Sequence, residues 1–258
     1  LASSSEVYQT PNKIPTNEKE MLKVPDVYNP RYSYGSGKII SELLSIQYGK
    51  KFFSKLIIFR PHNIYSEDMG NEHVIPQFIK NIKKSKNGYF KIKGSGQEIR
   101  SFMHIDDFMQ AFSLIFNKGK HMEIYNLGTE EKIRIIDLAR LILKKMGKKL
   151  RIKKTNMFHG NTSIRCPNIK KIKKLGFRQK VKLNRGIDLI VKNQKRKIKK
   201  VQFKWTKQLL RNYLKEAAIL PPSTVSTAPV VFFEIAKWKN ALATSSAFTS
   251  SNSKFPFI

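Results

Sequence analysis

Cysteine is nearly absent from this chain: Cys166 is the one thiol in 258 residues. An internal disulfide framework is excluded, and the usage fits a reducing compartment, the cytoplasm. Acidic residues are scarce too, with 18 Asp+Glu against 50 Lys+Arg and a formal net charge of +32. No apolar run is long enough to span a bilayer. The start, Leu1-Ala2-Ser3, is not a basic segment followed by an apolar one, so no signal peptide is expected. No metal site is expected, and no internal repeat is visible.

The cation excess invites a nucleic-acid reading. The charge is uneven, however. It thickens at Lys144, Lys145, Lys148, Lys149, Arg151, Lys153 and Lys154, then at Lys170, Lys171, Lys173 and Lys174, and again from Lys192 to Lys215. None of these runs carries a nucleic-acid motif. Solvated lysine faces are the simpler account, with nonspecific polyanion contact expected at low salt. Hydrophobic residues make up 40%, enough for a sizeable core.

The opening Leu1–Ser5 reads as the end of a strand running into a loop, as if the chain began inside a domain. Residues 9–30 form a polar loop with Pro11, Pro15, Pro25 and Pro30. A helix is expected from about Tyr34 to Tyr48-Gly49, carrying the apolar run Ile39, Ile40, Leu43, Leu44 and Ile46. Lys55–Arg60 reads as a buried strand that breaks at Pro61. Strand, helix and strand in this order predict a parallel α/β sheet, with its ligand site beyond the carboxyl ends of the strands.

Further on, His73–Ile79 opens a helix, Tyr89–Lys93 alternates like a strand, and Gly94-Ser95-Gly96 turns. Arg100–Ile105 reads as one strand, with Asp106-Asp107 capping a helix through Phe116. Glu123–Gly128 reads as strand and turn. Ile135, Leu138, Ala139, Ile142 and Met146 mark an amphipathic helix. Two short helices are expected at Ile169–Leu175 and Leu183–Val191, then a lysine-rich helical stretch to Glu216. Residues 217–258 show no sustained periodicity, and no fold is assigned to them.

Tyr34 and Lys38 are the pair around which the chemistry gathers. On a helix, side chains four apart share a face. A phenol beside an ammonium is biased toward phenolate, which is one way to build a general acid/base. The spacing alone is common on helix faces and proves nothing.

The stretches around the pair carry more. They are Ser3-Ser4-Ser5-Glu6-Val7-Tyr8, Tyr34-Gly35-Ser36-Gly37-Lys38, Arg60-Pro61-His62-Asn63-Ile64-Tyr65 and His73-Val74-Ile75-Pro76. After them come Gly94 to Asp107, Tyr125-Asn126-Leu127-Gly128-Thr129, Arg165-Cys166-Pro167-Asn168 and Leu175-Gly176-Phe177. In this order, across roughly residues 1–190, the sequence resembles the extended short-chain dehydrogenase/reductases, specifically the NAD-dependent nucleotide-sugar epimerases and dehydratases.

The resemblance implies a fold and a site. The fold is α/β: the C-terminal portion of a Rossmann-like doubly wound parallel sheet plus a smaller α/β substrate-binding domain. Residues 1–65 would belong to the NAD domain, 66–191 mainly to the substrate region, and 192–258 to a basic, then low-complexity, poorly ordered tail. Tyr34 matches the catalytic acid/base, Lys38 the residue that binds the nicotinamide ribose and favours the phenolate, and Ser4 a hydroxyl that shares the proton work. Glu6 matches a second acid/base of the dehydratases and decarboxylases. His62 falls at a nicotinamide contact, and Ser4, Tyr34 and Lys38 also face the cofactor. For the nucleotide sugar, Asn63, Arg100 and Arg165 match diphosphate positions. His73, Val74, Lys91, Ile92 and Lys93 fall where the base and ribose are held.

The sequence also departs from the pattern. The Gly-rich dinucleotide fingerprint is missing, since neither Gly35-Ser36-Gly37 nor Gly94-Ser95-Gly96 has the G-x-G-x-x-G spacing. NAD binding by this chain is therefore expected to be impaired, as in a fragment. Ser66 stands where the family usually has Gly, and Ile164 where close relatives often have arginine. The alternative reading is an inactive remnant, or a basic polyanion-binding protein on the same scaffold. A homodimer is an open expectation.

Overall fold

The computed structural model describes residues 1–70, 72–155 and 162–193. The expected lysine-rich helix from residue 194 onward and the tail to residue 258 lie outside the described residues. After a 3-10 turn at Ser5–Tyr8 and another at Pro30–Tyr32 come α1 (Ser33–Phe52), β1 (Ile57–Pro61), β2 (Ile64–Tyr65) and α2 (Val74–Lys84). Then follow β3 (Tyr89–Lys93), β4 (Ile99–Ser101), β5 (Met103–His104), α3 (Ile105–Lys118), β6 (Glu123–Leu127) and β7 (Lys132–Arg134). The order closes with α4 (Ile135–Met146), β8 (Arg151–Thr155), β9 (Ile164–Arg165), α5 (Lys170–Lys174) and α6 (Leu183–Asn193).

The architecture is α/β. β1 and β6 run parallel, with Phe59 opposite Tyr125, and Ala2 bridges the other side of Phe59 in the same sense. The other parallel pairs are β2 with β5, β3 with β8, and β4 with β9, while β4 and β7 are antiparallel. Two buried clusters hold these elements. One joins Phe59, Ile64, Met103, Ile115, Tyr125, Leu127, Ile172 and Phe177. The other joins Tyr65, Phe78, Ile79, Phe90, Ile92, Leu138, Ile142 and Ile187. Each fully buried aliphatic side chain contributes about 1.5–3 kcal/mol. The first cluster draws on residues from both sides of residue 65; the second lies wholly from Tyr65 onward.

Helix α1 departs from its apolar pattern. Its buried residues are Gly35, Glu42 and Gly49, seven apart and so on one line. The missing side chains let the helix approach closely. A Cβ at Gly35 would lie 2.6 Å from Gln9 Nε2 and 2.9 Å from the Glu6 carbonyl oxygen. One at Gly49 would lie 2.6 Å from Leu56 Cδ2. Gly49 is thus a packing glycine inside the helix rather than its stop, and α1 continues to Phe52. Ile40, Leu43, Leu44, Tyr48 and Phe52 all lie on the outer face, each more than half exposed.

Two other expectations are corrected. Arg100–Ile105 is not one strand: β4 pairs with β7 and β9, and β5 pairs with β2, so the ladder changes partners at Phe102. The cap of α3 is His104, whose ring Nδ1 accepts from the Asp106 amide at 3.3 Å. Asp107 is instead buried, and accepts from the Lys180 and Val181 amides at 2.9 and 3.0 Å. Strands β7 and β8 were not expected from the sequence. β8 is all but exposed, and it forms because its backbone pairs with β3.

Candidate functional site

The site gathers at the carboxyl ends of the parallel strands, where ligands of open α/β sheets bind. β1 ends at Pro61 and delivers His62 and Asn63 there. Asn63 adopts φ 42°, a left-handed conformation that asparagine tolerates, and its Nδ2 donates to the Ser101 carbonyl at 2.9 Å. The Ser5–Tyr8 turn lies beside the start of α1. Its cap, Ser4, is buried and accepts from the Glu6 amide at 3.2 Å.

Tyr34 and Lys38 open α1. The Lys38 ammonium lies 5.9 Å from the Tyr34 ring centroid and donates to the Ala2 carbonyl at 3.1 Å. Lys38 therefore ties the helix to the strand end that carries Ser3 and Ser4. Tyr34 is half exposed, so its phenol is open to a ligand.

A second cluster forms around Glu6 of the Ser5–Tyr8 turn. Arg100 and Arg165 are register partners in the parallel ladder of β4 and β9. Like charges placed opposite one another are unfavourable. Arg165 is buried, and holds the Glu6 carboxylate through both terminal nitrogens, the second at 3.1 Å. Arg100 donates to the Ile99 and Thr162 carbonyls at 2.8 and 2.7 Å. Burial, then the charge of Arg165, pulls Arg100 down to about 10, which leaves it cationic at neutral pH. Glu6, Arg100 and Arg165 thus come together, with Ser4 two residues from Glu6.

Under the site runs a buried polar network. Glu42 accepts from Ser3 and, through both oxygens, from Arg60 at 2.8 and 2.5 Å. Arg60 also donates to Tyr8 Oη at 2.8 Å, and Tyr8 donates to Asn126 Oδ1 at 2.8 Å. Asn126 Oδ1 lies 3.2 Å from His62 Nε2. Burial above all pushes the Tyr8 phenol up to about 12 and His62 down to about 3. His62 is consequently a neutral imidazole at physiological pH.

This network is what the sequence reading missed. Ser3, Tyr8, Arg60 and Asn126 sit inside the recognised stretches but drew no role. Glu42, four residues after Lys38, was not singled out; the spacing was the available signal.

The remaining expected residues lie at the start of α2 and on β3. His73 is exposed and caps α2, whose first residue is the half-buried Val74. Lys91 and Lys93 project from β3 into solvent, whereas Ile92 points into the core. Only the backbone of Ile92 is available to a ligand.

Residues 1–128 match the model of the NAD dependent epimerase/dehydratase family. Over those residues the chain belongs to that family. Among similar proteins, the dTDP-D-glucose 4,6-dehydratase of Dictyostelium discoideum is 35% identical over 128 residues, which cover 50% of this chain and 28% of that protein. The dTDP-4-dehydro-6-deoxyglucose reductase of Escherichia coli is 32% identical over 172 residues, 65% of this chain and 54% of that protein. The chain thus spans about a quarter to a half of the length of these two relatives.

Solved epimerase and dehydratase structures share the fold. A dTDP-glucose 4,6-dehydratase from Streptomyces venezuelae, with NAD and TYD bound, superposes with a TM-score of 0.65 at 24% identity, covering 74% of this chain and 57% of that one. A UDP-N-acetylglucosamine 4-epimerase from Methanobrevibacter ruminantium gives 0.67 at 20% identity, covering 74% and 61%. The α/β fold is therefore Rossmann-like. No helix among the described residues is long and apolar enough to cross a membrane.

Proposed function

We propose that the chain acts on a nucleotide-diphosphate sugar, removing a proton from a sugar hydroxyl at Tyr34 so that a transient keto-sugar forms. NAD, when bound, supplies the hydride acceptor for that oxidation. The observation that carries the reading is the pairing of Arg100 with Arg165 on adjacent strands beside Glu6. Two guanidiniums brought together in a partly buried site suit the oxygens of a diphosphate, which they can grip bidentately.

Each residue then has a role. Tyr34 takes the proton, Ser4 orients it, and Lys38 stabilises the phenolate and holds the nicotinamide ribose. Asn63, Arg100 and Arg165 hold the diphosphate. His73, Val74, Lys91, Lys93 and the backbone of Ile92 lie toward the base and ribose. Once a ketone has formed, the neighbouring C–H is acidic, and Glu6 is the base for it.

The residues present fit the nicotinamide end of NAD: a lysine, a tyrosine and the buried His62, whose Nδ1 has no hydrogen-bond partner among the described residues. They do not supply the pyrophosphate cradle, since these 258 residues contain no G-x-G-x-x-G. We infer that this chain by itself holds NAD weakly.

The apolar outer face of α1, from Ile40 to Phe52, supports a homodimer, because exposed apolar faces of this kind mark interaction surfaces. A monomeric sedimentation profile at micromolar concentration would contradict it. The net charge of +32 favours the competing polyanion-binding reading, and that binding would fall steeply with salt.

The test uses excess NAD and nucleotide sugars. Tyr34→Phe is expected to lower the rate of nicotinamide reduction by about 10²-fold or more, with KM nearly unchanged. Arg100→Ala is expected to raise KM instead. Equal losses of both kinds in the two variants overturn these assignments.

A further inference from the structure

We propose that the cleft between α4 and β8 binds a phosphate monoester with an aliphatic body, at a site independent of the reaction at Tyr34.

The cleft is a cavity of about 510 Å³. Small-molecule sites usually span about 300–1,000 Å³. Its walls follow from the local sequence. α4 contributes the buried Ile136 and Leu143, and the chain then turns at Gly147 and brings in the half-buried Leu150 and Ile152. Around this aliphatic floor stand four exposed cations, Arg134, Arg140, Arg151 and Lys154. Among the described residues, no carboxylate and no aromatic ring lines the cavity. A cleft walled by one sign of charge over low-dielectric surface focuses its field on the opposite sign. Part of the lysine- and arginine-rich run from Lys144 to Lys154 is thereby gathered at one place.

Two of the cations are held in position. Asp137 accepts from Arg134 Nε at 2.5 Å and from Arg140 Nη1 at 3.0 Å. One carboxylate thus orients two guanidiniums and offsets only one of the four charges. The remaining nitrogens of this pair, and the side chains of Arg151 and Lys154, have no hydrogen-bond partner among the described residues. Planar guanidiniums suit the oxygens of a phosphoryl group, which they grip in pairs.

The cleft is distinct from the arginine pair at Glu6. In the ladder of β4 and β7, Ile99 is opposite Arg134 and Arg100 is opposite Ile133. Opposed residues share a face and successive ones alternate, so Arg134 lies on the face away from Arg100. Tyr34, Arg100 and Arg165 do not line the cavity.

Chemistry narrows the ligand. A nucleic-acid strand would find no aromatic side chain on which to stack its bases. An inorganic anion would leave the aliphatic floor uncovered, and an uncharged lipid would leave the cations unmatched. A phosphate monoester on an aliphatic chain meets both. A free ligand and a lipid headgroup share that chemistry.

The test is calorimetric titration of the full chain with octyl phosphate. It is expected to bind at one equivalent, about tenfold or more tighter than inorganic phosphate, because its chain covers the floor. Arg140→Gln combined with Arg151→Gln should weaken it by about tenfold or more. Lys50→Gln combined with Lys51→Gln removes the same charge from the last turn of α1 and should leave binding unchanged, as should Arg100→Ala. Equal weakening in the two paired variants overturns the proposal. So does octyl phosphate that binds no tighter than inorganic phosphate, or not at all. If the Arg140 and Arg151 variant does not fold, Lys154→Gln on β8 takes its place, with weakening expected and unchanged binding counting against the site. Vesicles containing phosphatidic acid separate the two sources. Capture that is lost in the Arg140 and Arg151 variant assigns the phosphate to a lipid headgroup; octyl phosphate binding without capture assigns it to a free ligand. A single-stranded oligonucleotide that displaces octyl phosphate and binds more tightly overturns the ligand class.

Discussion

Arg165 and Glu6 form a bidentate ion pair across 159 residues of sequence, with the arginine buried and the carboxylate one-third exposed. The pair brings together two residues that the resemblance assigns to different tasks, one to the diphosphate and one to acid/base work. In the chain alone Glu6 takes up the terminal nitrogens of Arg165, while the buried Nε of Arg165 has no hydrogen-bond partner among the described residues. A diphosphate offers Arg165 the same two-oxygen geometry, so its arrival is expected to release Glu6.

A double-mutant cycle of Glu6→Gln and Arg165→Gln measures that pair. Hydrogen bonds to charged groups are worth about 1.5–3 kcal/mol, and Glu6 is exposed enough to discount this toward the lower end. A coupling of about 1–2 kcal/mol is expected from urea unfolding. A coupling near zero would mean that the pair does not hold the Ser5–Tyr8 turn to β9.

Two glycines of α1 give opposite expectations. Gly37→Ala meets nothing within 4 Å and should stabilise the helix by about 0.5–1 kcal/mol, as propensity dictates. Gly35→Ala gains the same propensity but drives a methyl against the Glu6 carbonyl at 2.9 Å. Overpacking costs about 1–3 kcal/mol and wins, and it also displaces the neighbouring Tyr34. Thermal unfolding of both variants checks this, and stabilisation by both would contradict the close approach.

Stability should fall toward both ends of the pH scale. His62 is lowered from 6.5 to about 3 in the folded chain, so the unfolded state binds the extra proton first. Its contribution is complete above about pH 6.5 and is lost as pH falls toward 3. Tyr8 is raised from 10.0 to about 12, so the folded state keeps a proton that the unfolded state gives up. Its contribution is complete below about pH 10 and is lost as pH rises toward 12. Urea midpoints across pH, compared with those of His62→Phe and Tyr8→Phe, should show each flank flattened in the matching variant.

What the sequence revealed depends on range. Local signals worked: the periodicity of α4, and the ordered stretches that led to the family. Distant partners did not show. Glu42 reads as a surface glutamate, yet Arg60 and Ser3, 18 and 39 residues away, bury it. Ile40, Leu43 and Leu44 read as a core face, yet Gly35, Glu42 and Gly49 form the contact line. β8 reads as solvated charge, because one half-buried Ile152 among lysines gives no period and its pairing with β3 is remote. Arg100 and Arg165 both stand in the ordered stretches, but that they face each other is a property of the β4–β9 register.

These two arginines are proposed to form a diphosphate site, and calorimetric titration with a nucleoside diphosphate at low and moderate salt is the decisive measurement. The wild-type chain should bind one equivalent. Arg100→Ala should weaken binding by about tenfold or more, the range for a charge-assisted contact, and Tyr34→Phe should leave it unchanged. Equal binding by wild type and Arg100→Ala, or affinity that tracks only the overall charge and vanishes alike in every variant with salt, would contradict the account.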